Sequence, residues 1–367
     1  MTEKVRIPQI RFKGFTAPWE QCKVNNILKS VNIDICQRLD LLGKYKVIQQ
    51  GNEPIAGYTN EKPYDNYSDI VLFGDHTLSI YKPKSPFLIA SDGVKAYYMD
   101  KVNGNYLSYL LEKNLPKNEG YKRYSAILKD KDILLTFNDN EQIKISKLLI
   151  DIDNLITLHQ RKHDKLVNVK KSLLEKMFPS DGEKVPKIRF KGFTVPWEQC
   201  KVSDLANRFD NLRIPITASL RIPGNTPYYG ANGIQDYVSG YTHKGEFILV
   251  AEDGANDLKN YPVQYVNGEI WVNNHAHVLQ NKEIISNTKF LKYSISNANI
   301  ESILVGGGRA KLNSEALMSL ELNTPPLKEQ EKIGVAFTQL DNLITLHQSK
   351  LEKLKNIKKS LLEKMFV

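Results

Sequence analysis

The sequence predicts an α+β protein: two mixed α/β heads and a two-helix coiled coil, with a pseudo-two-fold internal repeat. Three observations predict it. The stretch Asp153–Phe178, DNLITLHQRKHDKLVNVKKSLLEKMF, returns almost unchanged as Asp341–Phe366, DNLITLHQSKLEKLKNIKKSLLEKMF. The stretch Ile7–Val24, IPQIRFKGFTAPWEQCKV, returns as Val185–Val202, VPKIRFKGFTVPWEQCKV. Between the repeats lie two regions, about 25–139 and 203–323, that share little sequence and carry short strand-like runs. Repeats of this kind set the architecture. The plan is aromatic segment, variable region and long helix, then the same again.

The aromatic segment comes first. Pro8, Gly14 and Pro18 alternate with Phe12, Phe15 and Trp19, which describes an ordered turn packed by its own rings. The second copy offers Phe190, Phe193 and Trp197. A binding role for these rings is the alternative to packing. Region one has strand-like runs at Tyr45–Gln49, Asp69–Phe73 and Phe87–Ala90, and a helical run at Asn105–Glu112. Region two has strand-like runs at Glu246–Ala251, Glu269–Val272 and His275–Leu279. Both regions contain Gly-Tyr-Thr, at Gly57–Thr59 and Gly240–Thr242. That points to two versions of one fold whose surfaces have diverged, as two different reading heads require.

Each copy of the Asp153–Phe178 stretch lacks Gly and Pro and is rich in Leu, Lys, Glu and Ile, so each reads as a long helix. Ile152, Leu155, His159, Lys162, Leu166, Val169, Leu173 and Lys176 recur at alternating spacings of three and four. Leu340, Leu343, His347, Lys350, Leu354, Ile357, Leu361 and Lys364 hold the same frame. That is a heptad seam with polar residues at some positions. Neither helix buries such a stripe alone, so the two are expected to pair; the alternative is that each is the buried edge of its own domain. On this frame His159 and His347 are polar core residues rather than ligands. Pro325-Pro326-Leu327-Lys328-Glu329-Gln330 is a helix start, because proline fits the first turn and Glu329 suits its positive end. The first helix is entered through Asn138–Ile143, which keeps the Glu141-Gln142 pair but lacks the prolines. Pro179–Glu183 is a turn-rich linker. The expected divisions are head 1 at 1–140, the first long helix at 141–178, linker and head 2 at 179–324, and the second long helix at 325–367.

A chain of 367 residues has room for about two domains with real cores. No apolar run reaches transmembrane length and the start of the chain is polar and charged, so the expected location is the cytoplasm. Cys22 and Cys200 occupy equivalent places in the repeat, and with Cys36 make an odd count. They fit buried packing residues in a reducing compartment, and no Cys/His spacing suggests zinc. A net charge of +10 favours a polyanionic partner, most simply nucleic acid.

These residues carry a resemblance. The doubled IRFKGF…PWEQ segment, PPLKEQEKI at Pro325–Ile333 and the doubled DNLITLHQ…KKSLLEKMF helices occur in one order over essentially the whole chain. The runs YYGANGI (Tyr228–Ile234), VNNHAHVL (Val272–Leu279), VLFGDHTLSIYKPKSPF (Val71–Phe87) and GYKRY (Gly120–Tyr124) add to it. Together they resemble the specificity subunit of a type I restriction–modification system, with two target-recognition domains. The departure is at Phe137 and Asn138, where the family's proline-rich entry to the first helix is absent. The resemblance implies a non-catalytic reader of double-stranded DNA whose two mixed α/β target-recognition domains are separated by an antiparallel two-helix coiled coil and each read one half of a split, asymmetric site. It also implies two docked copies of an adenine methyltransferase subunit, and restriction subunits that cleave DNA with ATP.

The residues themselves show no catalytic, metal or cofactor constellation. Asn323–Leu327 echoes a base-holding Asn-Pro-Pro-aromatic tetrapeptide, but has an extra Thr and no ring. Asp181-Gly182-Glu183-Lys184 lies in a linker, and Gly306–Arg309 lacks the Lys-Ser/Thr of a phosphate loop. Asp75-His76 and Glu252-Asp253 have no nucleophile or metal spacing beside them and fit turn closure. The candidate DNA-binding residues of head 1 are Lys82, Lys84, Lys95, Tyr121, Lys122, Arg123 and Tyr124. Those of head 2 are Tyr229, Gly230, Asn232, Gly233, Asn273, Asn274, Arg309 and Lys311. Lys and Arg suit phosphates, Asn suits base edges, and glycine lets backbone approach a phosphate. For each lysine the alternative is a solvated surface charge; for Asn273 and Asn274 it is a tight turn. The alternative for the whole chain is a coiled-coil scaffold whose heads bind protein or carbohydrate.

Overall fold

The computed structural model describes residues 7–180, 182–306 and 310–366. The chain divides into two compact units, residues 1–160 with 349–367, and residues 161–348. Two helices of 39 residues each, Asp139–Met177 and Leu327–Met365, contribute to both.

In unit 1 the aromatic segment leads into strand Glu20–Lys23, which pairs antiparallel with Asp132–Leu135 just before the first long helix. Between them lies head 1. A four-stranded antiparallel sheet runs in the order Lys29–Val31, Val94–Tyr98, Val71–Gly74, Ile80–Tyr81. A three-stranded sheet places Tyr45–Ile48 between Ile55–Thr59 and Phe87–Ile89, parallel to the latter. Helix Gly104–Lys113 starts where the Asn103 side chain accepts from the amides of Asn105 and Tyr106. Its Tyr106, Leu107, Leu110 and Leu111 are buried against Val71, Phe73 and Tyr97.

Unit 2 repeats the plan. Glu198–Lys201 pairs with Glu321–Thr324. Head 2 is a six-stranded sheet in the order Ala206–Arg208, Ala276–Asn281, His243–Ala251, Val263–Val272, Pro223–Gly230, Gly233–Val238. Helix Thr288–Asn297 is capped by Asn287. Again one strand of a hairpin, through Tyr228 and Tyr229, lies parallel to a later strand, at Trp271 and Val272. The two heads are thus versions of one fold. The shared Gly-Tyr-Thr does not mark that kinship, however. Gly57–Thr59 closes a strand paired with Tyr45–Ile48, whereas Gly240–Thr242 follows the strand ending at Val238.

The duplicated residues make the same contacts in each unit. Arg11 grips Glu141 through Nε and Nη2 at 2.6 and 2.9 Å, and Arg189 grips Glu329 at 2.7 and 2.7 Å. Gln142 Nε2 donates to the carbonyls of Thr136 and Lys101 while its Oε1 accepts from the Asn103 amide. Gln330 does the same with Pro325, Ile285 and Asn287. The Glu-Gln pair thus ties each long helix to its aromatic segment and to the cap of its head's helix. Trp19 packs edge-on against Phe366 at 6.0 Å, and Trp197 against Phe178 at 5.8 Å. Packing therefore accounts for these tryptophans. Cys22 and Cys200 lie part-buried on the two cores, and burial pushes both thiols up.

Within each unit the long helices run antiparallel. In unit 1 Lys358 Nζ lies 2.9 Å from Asp153, while Leu362 and Met365 join Ile145 and Leu149 in the core. In unit 2 Lys170 Nζ lies 2.6 Å from Asp341, while Met177 and Leu173 join Ile333 and Phe337. A tyrosine hydroxyl completes each node, Tyr109 to Asp153 at 2.8 Å and Tyr293 to Asp341 at 2.5 Å. Half of the expected seam is corrected. Leu155, Lys162, Val169 and Lys176 are exposed, as are Leu343, Lys350, Ile357 and Lys364. Their C-terminal neighbours Ile156, His163, Lys170 and Met177, and Ile344, Leu351, Lys358 and Met365, turn inward instead. Spacing of four then three, not three then four, puts each lysine beside the aspartate that pairs with it. His159 and His347 are half-buried on the corrected frame too.

Candidate nucleic-acid interface

In each head, loops from separate strands are bound into one cluster by the same backbone frame. In head 1 the Asp75 amide donates to the Gly93 carbonyl and the Tyr124 amide donates to the Asp75 carbonyl, both at 2.8 Å. In head 2 the Glu252 amide donates to the His275 carbonyl at 2.9 Å and the Leu312 amide to the Glu252 carbonyl at 2.7 Å. The frame is shared; the side chains on it are not.

Head 1 fills the frame with Gln50, Asp75, His76 and Tyr121. Gln50 Oε1 accepts from the His76 amide at 3.1 Å, tying the 49–53 turn to the 75–79 turn. A Cβ at Gly93 would come within 2.7 Å of Gln50 Nε2, so that position takes no side chain while Gln50 stays. Asp75 is buried and accepts from the Ser125 amide at 2.8 Å. It closes a turn, as does His76, whose Nδ1 donates to the Lys122 carbonyl at 2.9 Å.

Head 2 fills it with an ionic network. His277 is buried between Asp210 at 2.7 Å and the Leu312 carbonyl at 2.9 Å. Arg213 Nη1 donates to Glu252 at 2.7 Å, and Lys311 Nζ lies 3.0 Å from the other oxygen of Glu252. Burial pushes the Asp210 carboxyl up, but His277, the Val278 amide and Arg213 outweigh it and hold it below the usual range. Burial likewise pushes the Glu252 carboxyl up, but Arg213 and Lys311 outweigh it and hold it below the usual range. One ligand atom each from Asp210, Glu252 and His277 lies within 4.8 Å of the others. Those carboxylates already face Arg213 and Lys311, so a cation would have to displace them. The chemistry is that of an ion-pair network holding the loop frame.

The candidate residues fall into three groups. Tyr121, Lys122 and Arg123 in head 1, and Gly230, Asn232, Gly233, Asn274 and Lys311 in head 2, lie in or beside the clusters. Tyr121 is 86% exposed. Lys122 is tied to Glu119 at 2.6 Å. Asn232 bridges its hairpin tip to the next loop, donating to the Gly254 carbonyl at 2.8 Å and accepting from the Asn256 amide at 3.0 Å. Others are turned inward. Tyr124 is buried, its hydroxyl accepting from the Glu119 amide and donating to the Gly120 carbonyl. Asn273 is buried and accepts from the His275 amide. Tyr229 packs on the sheet cluster of Phe247 and Leu249. The third group lies on other parts of head 1. Lys95 is on the strand pairing with Phe73. Lys82 donates to the carbonyls of Tyr67 and Pro83, and burial pushes its pKa down to about 8. Lys84 shares a cavity with Tyr109 and Asp153. Arg309 lies outside the described residues.

Asp210, Arg213 and His277 escaped the sequence reading, because nothing in their spacing, 67 positions apart between Asp210 and His277, brings them together before the strands pair. The helix-start reading of Pro325-Pro326 holds: Asn323 and Thr324 end a strand, and the Glu329 amide donates to the Pro326 carbonyl. Among the described residues no helix is long and apolar enough to cross a membrane.

Comparison with known proteins agrees with this geometry. Residues 194–356 match the model of the type I restriction modification DNA specificity domain. A provisionally named type I restriction enzyme specificity subunit of Haemophilus influenzae is 46% identical over 143 residues, 39% of this chain and 36% of that protein. The MjaVIII type I restriction enzyme specificity subunit of Methanocaldococcus jannaschii is 23% identical over 194 residues, 48% of this chain and 43% of that one. The matches thus span less than half the length of these relatives. The crystal structure of the type I restriction–modification S subunit of M. genitalium superposes with a TM-score of 0.69, covering 98% of this chain and 99% of that one at 14% identity.

Proposed function

We propose that this chain, which belongs to the type I restriction–modification specificity family, reads a bipartite asymmetric site on double-stranded DNA, one half with each head. One observation carries the reading: two loop clusters share a backbone frame but bear different side chains, on supports whose contacts are duplicated residue for residue. A protein that bound one ligand twice would keep both loops alike. A protein that reads two half-sites must vary the loops and keep the supports. The +10 charge draws the chain to the DNA backbone. The sequence-dependent part comes from the loops, where Asn232, Asn274, Lys311, Arg123 and Tyr121 are presented.

The duplicated aromatic segments and long helices are the surfaces where two methyltransferase subunits dock for adenine methylation, with restriction subunits joining for ATP-dependent cleavage. This chain supplies no reacting group; it places the site. The expected location is the cytoplasm. The test is methylation mapping of DNA exposed to the chain assembled with a methyltransferase subunit and its methyl donor. Adenine methylation at a split motif is expected, and none from the chain alone. Exchanging Ser203–Asn323 for the same region of another family member should change one half-site only. A change in both half-sites, or methyl transfer by the purified chain alone, would refute the reading.

A further inference from the structure

Tyr121 is the residue whose arrangement the polar reading of the loops leaves unexplained. The residue is 86% exposed, yet its ring is not free to wander. One face lies flat on His76, with centroids 4.5 Å apart and planes within 5°. The His76 ring is itself fixed, Nδ1 to the Lys122 carbonyl and its amide to Gln50. The loop that carries Tyr121 is pinned from below, because the Tyr124 hydroxyl bonds the Glu119 amide and the Gly120 carbonyl. Gly120 has φ +89°, the left-handed turn that swings the next residue outward. The adjacent charge, Lys122, is taken up by Glu119. The loop therefore presents a flat, backed aromatic face, with the exposed Arg123 two positions along.

We propose that the Tyr121–His76 pair is a stacking platform on which head 1 takes the π-face of a nucleobase where a base step of its half-site opens, so that part of its selectivity comes from stacking and from how readily that step unstacks. This rests on the DNA-reading function above. The platform suits that role because a ring already stacked loses little freedom on binding. A base face is also recognised without hydrogen bonds, so it adds affinity at a position that no Asn or Arg of the loop needs to contact.

The test uses the full chain and DNA carrying the mapped site, with binding measured between about 50 and 200 mM salt. Tyr121→Ala should weaken binding about 5- to 150-fold, the range of one lost base–aromatic stack. Tyr121→Phe and Tyr121→Trp should bind within about twofold of wild type, and His76→Ala should fall between. Stacking releases no counterions, so the slope of log K against log salt should stay the same in Tyr121→Ala. The loss should vanish on DNA whose head 1 half-site is scrambled. Unchanged affinity in Tyr121→Ala would overturn the platform while leaving the DNA-reading function intact. So would a shallower salt slope, which would make Tyr121 a support for phosphate contacts. Site-specific binding absent from wild type would overturn the DNA-reading function, and the platform with it. An unchanged thermal midpoint of each variant confirms that the comparison concerns the ring and not the fold.

Discussion

Removing Arg189 tests whether the duplicated Arg–Glu pair is what fixes each aromatic segment to its long helix. Glu329 is 0% exposed and the Arg189 side chain 10% exposed, with both guanidinium–carboxylate contacts at 2.7 Å. Arg189→Met leaves a carboxylate buried among groups that cannot neutralise it, which costs about 3–5 kcal/mol. For a unit of this size each kcal/mol moves the unfolding midpoint by about 2–4 °C, so a drop of roughly 6–20 °C is expected. The double variant Arg189→Met with Glu329→Met should recover most of that. It removes both buried charges together, and it also removes Arg189 Nη1, which is buried without a partner. Calorimetry of the two single variants and the double variant gives the coupling directly, and a value above about 2 kcal/mol is expected. The same cycle on Arg11 and Glu141 should give a coupling of similar size. If Arg189→Met alone costs less than about 1 kcal/mol, the pair is behaving like a solvated surface bridge and the reasoning fails.

Two further outcomes follow from the helix nodes. Burial pushes the Asp341 carboxyl up, but Lys292, Lys170 and the Tyr293 hydroxyl outweigh it and leave it below the usual carboxylate range. Its stabilising contribution is therefore complete above about pH 4 and is lost as pH falls through the lowered folded value. Calorimetry between about pH 2 and 6 should show a flatter acid limb in Asp341→Asn than in wild type; parallel limbs would refute this. If the paired helices set the spacing between half-sites, one heptad inserted after Leu166 and one after Leu354 adds about 10 Å. The unread spacer should then lengthen by roughly three base pairs, read by methylation mapping on a library of spacers. A variant that stays active on the original spacer would show that the helices are not the ruler.

Much of the architecture was legible because the chain states it twice. Glu141-Gln142 and Glu329-Gln330 stood out as a kept pair before their partners were visible, and both pairs make the same bonds. The strand-like runs at Tyr45, Phe87 and Glu246 fall on strands because they are short and apolar between turn residues. The seam was only half legible. Leucines on adjacent faces at Leu155 and Leu158 hide the inward set, and Lys170 and Lys358 look like surface residues until Asp341 and Asp153 are opposite them. The loop candidates were legible by type but not by direction. Tyr124 and Asn273 have the chemistry of readers, yet their polar atoms hold their own loops. The Asp210–His277–Arg213 network was hidden because its members meet only after long-range strand pairing.

The split make-up of unit 1 has a consequence for how the protein acquires its structure. In unit 2, Phe178 reaches Trp197 across a short stretch of chain, and residues 161–348 are contiguous. In unit 1 the equivalent ring is Phe366, which must find Trp19, and Leu362 and Met365 complete the same core. A growing chain therefore has all of unit 2 in hand while unit 1 still lacks one wall. The head made first is closed last. Domains ordinarily fold in the order of synthesis, but here the apolar wall around Trp19 and Tyr106 stays uncovered until residues 349–366 arrive. Contacts so distant in sequence also form slowly. During that interval the uncovered wall is apolar surface of the kind that aggregates, which unit 2, contiguous in the chain, does not leave waiting.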